Sequence, residues 1–97
     1  MAIEHITPAD GNIFADLGFP PEEAENLKIR SSLMIAIELI IRDRQLKQAR
    51  AAKLFGVSQP RISDIKRGKI DEFTIDSLVN MLTHAGLRVD FTLSEAA

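Results

Sequence analysis

The chain has no cysteine among its 97 residues. Disulfide frameworks and cysteine-ligated metals are therefore excluded, and a reducing cytoplasm suits such a sequence. Histidine is scarce: His5 and His84 are the only two, 79 positions apart. No nucleophile elbow, phosphate loop or metal-spaced cluster occurs. The expectation is a non-enzyme with no catalytic residue, no metal ligand and no cofactor. Long apolar runs are also missing. The longest, LMIAIELII at 33–41, is broken by Glu38 and is far shorter than the roughly 20 residues of a membrane span. Residues 1–26 hold no Lys or Arg, so there is no positively charged leader region. The expected setting is the cytoplasm, without membrane contact.

What is present fits one small domain over residues 1–97. Apolar residues make up 45% of the chain, normal for a globular protein and too many for a disordered one. The net charge of −2 hides a strong segregation. Residues 1–26 carry six acids: Glu4, Asp10, Asp16, Glu22, Glu23 and Glu25. Residues 47–69 carry seven bases (Lys47, Arg50, Lys53, Arg61, Lys66, Arg67, Lys69) against Asp64 alone. Residues 70–97 return to five acids against Arg88. A mildly acidic protein can still offer one basic face, and a phosphate backbone senses local charge. A solvated basic surface with no partner is the plain alternative.

The N-terminal arm, residues 1–20, has no clear helical period. Pro8, Gly11 and Asn12 mark turns, and Ile13, Phe14, Leu17 and Phe19 are read as docking on the domain or waiting for a partner. Pro21 followed by Glu22 and Glu23 starts a helix, since acids there favour the positive end of the dipole. That helix is predicted to reach Arg44, with Leu33, Ile37, Ile40 and Ile41 at helical spacing. Ile35 and Leu39 extend its apolar surface round the other side. A second helix is predicted over Lys47 to Phe55 and is closed by Gly56. Ser58 is a natural cap for a third, which Pro60 tolerates in its first turn. Ile62 and Ile65 point inward, and Gly68 ends it. A fourth is predicted over Thr74 to Ala85. Residues 87–93 (LRVDFTL) then alternate apolar and polar, the pattern of a strand. A lone strand cannot satisfy its backbone. It must pair with the arm, a second copy or a partner protein.

Residues 48–67 resemble the helix-turn-helix of the phage-repressor-like (Xre/Cro) family. Ala52 stands four before Gly56, Phe55 and Val57 flank the glycine, and Ile62 and Ile65 fill the inner positions of the second helix. Gln48 opens the unit and Lys66-Arg67-Gly68 closes it. The resemblance implies an all-α fold, four to five helices around a phage-repressor-like helix-turn-helix, with a short C-terminal β-strand. It implies that the second helix enters a major groove about 12 Å wide. Its base-reading positions are then Gln59, Pro60, Arg61, Ser63 and Asp64, beside the cap Ser58. Gln59 suits adenine and Arg61 suits guanine, each bidentately. Asp64 departs from the pattern: it accepts from cytosine or bridges Arg61 or Arg67. Gln48, Lys66, Arg67 and Lys69, with Lys47 and Arg50, are implied phosphate contacts that set register.

The wider chain resembles the HigA-type antitoxins of toxin–antitoxin modules, through NIFADLGF at 12–19, the long helix, the helix-turn-helix and Gly86-Leu87-Arg88-Val89. That resemblance implies a homodimer on a pseudo-palindromic double-stranded DNA operator, autorepression, and neutralisation of a RelE-like ribonuclease toxin. Val89, Phe91 and Leu93 are the expected dimer residues. A phage-type regulator without a toxin is one alternative. A protein-interaction module that has lost DNA binding is another.

Overall fold

The computed structural model describes residues 11–95, which form five α-helices and one 3-10 turn. Helix α1 (Ile13–Asp16) is a single turn. Asn12 makes it: its side-chain oxygen accepts from the backbone N–H groups of Phe14 and Ala15 at 3.0 and 3.4 Å. The same side chain donates to the Ala24 carbonyl at 3.0 Å, pinning the turn to the next helix. Phe14 and Phe19 then meet edge to face at 6.2 Å. Four residues are too few to show a period, so the sequence pattern read only turns here. The first half of the arm, with His5 and Pro8, lies outside the described residues.

Helix α2 (Pro21–Asp43) is the central strut. Its first part buries Ala24 and Leu27, and its second buries Met34, Ala36, Ile37, Ile40 and Ile41. Ile35 stays 44% exposed, so the apolar surface does run round to a face that the chain does not cover. Leu46 N–H returns to the Ile41 carbonyl at 2.9 Å, and Gln45 at φ 50° turns the chain into α3 (Gln48–Phe55). There Ala51 and Ala52 let the backbone approach α4 and α5 closely, and Phe55 fills the centre at 1% exposure. Gly56, at φ 67°, closes α3 in the left-handed region. Val57 N–H reaches back to the Ala52 carbonyl at 3.0 Å.

Ser58 caps α4 (Gln59–Lys66), accepting from Arg61 N–H at 3.4 Å, and Pro60 sits in the first turn. Ile62 and Ile65 are buried. After a 3-10 turn (Ile70–Glu72), Thr74 and Ser77 form a reciprocal capping box at the start of α5 (Ile75–His84). Leu78, Met81 and Leu82 complete the core with Phe73.

Past α5, Leu87 and Val89 pack against this core. The strand expected at 87–93 is not formed: the described residues 87–95 have no regular structure. A strand exists only as part of a ladder, and the single chain offers no second strand among the described residues. Phe91 and Leu93 are left 83% and 89% exposed.

Candidate nucleic-acid interface

Helix α4 is held as a projecting ridge. Its inner row, Ile62 and Ile65, locks it to α2 and α3 within the core that α5 completes. Its other positions are displayed in graded fashion. Gln59, Pro60, Lys66 and Arg67 are exposed, while Ser63 and Asp64 are half-buried. Gln59, Ser63, Lys66 and Arg67 follow helical spacing, so they share one face. That face carries an amide, a hydroxyl and two cations, which is the chemistry that reads base edges and grips phosphate. Lys69, also exposed, follows the helix and sits 3.8 Å from Asp64. The acid therefore pairs with Lys69, and not with Arg61 or Arg67 as expected. A base so placed also screens the one anion on this surface.

Gln48, expected to grip phosphate, donates its side-chain amide to the Gln59 carbonyl at 2.8 Å. It ties the first turn of α3 to the first turn of α4. The two helix starts are then one rigid unit, which matters because a groove-reading helix needs a fixed pitch against its partner.

Arg61 has the most unexpected geometry. Its guanidinium donates to the Glu72 carbonyl at 2.7 Å and lies 5.0 Å over the Phe73 ring. In this position it spans from α4 to the connector that follows it. The guanidinium is thus engaged within the chain, with residue 61 beside the buried row of Ile62 and Ile65. Arg30 does the same from the other side. It donates to the Ile70 and Phe73 carbonyls at 3.1 and 3.2 Å, and to Asn26 at 2.7 Å. Two arginines from α2 and α4 thus hold residues 70–73 by backbone carbonyls. Arg30 gives no local sequence signal, since its partners lie 40 and 43 positions away.

His84 is the other residue whose role sequence reading missed. Its place in the last turn of α5 suits the negative end of the helix dipole. Its ring covers the turn between α3 and α4: Nδ1 donates to the Leu54 carbonyl at 2.9 Å. A Cβ placed on Gly56 would meet the ring at 2.8 Å. Gly56 is therefore demanded twice, by its positive φ and by the close approach of His84.

The expected dimer residues divide. Val89 is half-buried against its own core, whereas Phe91 and Leu93 are open to solvent. Ile13 and Leu17 are 66% and 69% exposed, and the nearby acids in sequence, Asp16, Glu22, Glu23 and Glu25, are exposed too. No helix among the described residues is long and apolar enough to cross a membrane.

Comparison with known proteins bears on this geometry. A family model described as a helix-turn-helix domain matches residues 13–94. A solved structure carrying the name of an XRE family transcriptional regulator superposes with a TM-score of 0.68 at 26% identity. The likeness covers 76% of this chain and 83% of that one. No curated protein matches the chain significantly.

Proposed function

The chain belongs to the helix-turn-helix domain family, and from that premise we propose that it is a sequence-specific DNA-binding repressor of its own operon. It has the Xre-type helix-turn-helix architecture. The observation that carries the reading is the ridge of α4. An otherwise acidic chain sets Lys66, Arg67 and Lys69 on and just past α4, beside exposed Gln59 and half-buried Ser63, on a helix packed against α2 and α3. Helix α4 enters the major groove. Gln59, Pro60 and Ser63 meet base edges, and Lys66, Arg67 and Lys69 meet phosphates. A two-fold dimer sets two such helices about 34 Å apart on a pseudo-palindromic site. Residues 87–93 take an extended form against a second copy. Gel shift against the protein's own promoter tests the DNA reading: equal affinity for promoter and random DNA rejects it.

The finer role is that of an antitoxin. The support is the N-terminal part of the described chain, where exposed apolar Ile13 and Leu17 stand close in sequence to the exposed acids Asp16, Glu22, Glu23 and Glu25. Such a surface is complementary to a basic protein, and a RelE-like ribonuclease is basic because it binds RNA. The alternative, a phage-type regulator with no toxin, leaves that patch without a use. Co-purification with the product of the neighbouring reading frame decides between them. A stable complex that is lost on Leu17→Glu supports the antitoxin. A neighbour that neither binds nor inhibits growth supports the phage-type regulator.

A further inference from the structure

One basic surface is not explained by the DNA ridge. Arg44, Leu46, Arg50, Lys53 and Leu54 line an open groove of about 360 Å³. Its floor is the two half-buried leucines and its rim is three cations. Arg50 stands two residues from both Gln48 and Ala52, about 200° round α3 from the row that meets α4. Phosphate needs cations and has no use for a leucine floor. The groove instead matches an acidic segment with exposed apolar side chains.

The same molecule has such a segment. Residues 90–95 (DFTLSE) hold two acids, no base, and two large side chains, Phe91 and Leu93, at 83% and 89% exposure. In an extended chain Phe91 and Leu93 lie on one face. The tail is rooted beside the groove, because His84 at the end of α5 bonds to the Leu54 carbonyl. In the single chain the tail leaves its own groove open. The residues from Gly86 to Phe91 span up to about 17 Å when extended, enough to cross a nearby two-fold axis.

We propose that the groove is the receptor for residues 90–95 of a second copy of this chain, so that two protomers exchange tails. Phe91 and Leu93 seat on Leu46 and Leu54, and Asp90 and Glu95 face the Arg44, Arg50 and Lys53 rim. A contact of this kind is isologous, each groove taking the other's tail. At on the order of 150 Å² per seated side chain, four such side chains and the surfaces they cover remove up to roughly 1,200 Å². That is the lower edge of a stable interface. The proposal rests on the dimer of the functional reading and adds to it the site that holds it.

The absence of cysteine makes the test clean. Leu54→Cys and Leu93→Cys are introduced into separately tagged copies, mixed and oxidised. A disulfide closes only where the Cα atoms come within about 7 Å, so exchange predicts a cross-linked heterodimer. It also predicts that Arg50→Glu with Lys53→Glu weakens the dimer by about tenfold or more in sedimentation equilibrium. Mixing that variant with one carrying Asp90→Lys and Glu95→Lys should recover association. A wild-type dimer with no cross-link and no response to charge reversal overturns the groove while leaving the dimer standing. A wild-type monomer removes the dimer itself. A monomeric Leu54→Cys/Leu93→Cys variant with an internal disulfide would make the tail its own chain's occupant and overturn exchange. A charge-reversed protein that stays dimeric but loses DNA affinity would make the rim a phosphate contact, with the same consequence.

Discussion

Replacing Gly56 by alanine tests how the helix-turn-helix is held. The glycine sits at φ 67°, where a side chain costs about 1–2 kcal/mol. A new Cβ would also lie 2.8 Å from the His84 ring, so the ring must swing away. Swinging breaks the Nδ1 bond to the Leu54 carbonyl, a loss of about 1 kcal/mol for a contact near the surface. Gly56→Ala should then destabilise by about 2–3 kcal/mol in urea unfolding. The two parts separate in a double-mutant cycle with His84→Ala. That change alone costs about 1 kcal/mol, and in its background Gly56→Ala keeps only the backbone term. The double variant should be less destabilised than the singles together by about 1 kcal/mol. Strict additivity, or a Gly56→Ala cost below about 0.5 kcal/mol, would refute His84 as the cover of the turn.

Arg61→Ala should lower stability by about 1–2 kcal/mol, from a charge-assisted bond and a cation–π contact, and weaken binding to all DNA sequences alike. Loss of preference at a single base position with unchanged stability would show that it reads a base instead. Arg30→Ala should raise hydrogen exchange of the amides at 70–73 ahead of the core helices, and uniform protection there would count against the clamp. Asp64→Asn should change stability by less than about 0.5 kcal/mol, because its pair with Lys69 is partly exposed. The same change should raise DNA affinity, since an anion leaves the phosphate-facing surface; a drop would mean that Asp64 accepts from a base. Lys66→Ala and Arg67→Ala should each reduce the salt slope of binding by about one unit, a change read by titration at several salt concentrations.

The helices were legible because their signals are local. Pro21 with its acids, Gly56, Ser58 with Pro60, and the row Ile62–Ile65 each act within one turn of the chain, and the observed bounds fall within a residue or two of those expected. The one-turn helix at Ile13–Asp16 was not legible, since it depends on one asparagine cap and a bond to Ala24 across 12 positions. The strand was misjudged for a different reason. Alternation reports which residues suit a two-faced strand, while pairing depends on a neighbour that the described residues do not offer. The intrachain partners that sequence does not show are backbone carbonyls elsewhere along the chain. Arg61 and Glu72, Arg30 and Ile70, His84 and Leu54 are such pairs. A carbonyl has no residue signature, so an arginine that holds one looks in sequence like an arginine awaiting DNA. Gln59, Lys66 and Arg67 are exposed, as helical spacing outside the Ile62–Ile65 row leads one to expect.

The central claim is that the outer row of α4 reads DNA. Its most direct measurement is the affinity of wild type and Gln59→Ala for the protein's own promoter and for scrambled DNA of equal length, in one buffer at fixed salt. The account expects wild type to prefer the promoter by at least about a thousandfold. It expects Gln59→Ala to lose about 1–3 kcal/mol on the promoter with its scrambled-DNA affinity unchanged. Equal binding of both DNAs by wild type, or a Gln59→Ala loss shared by both, would contradict it.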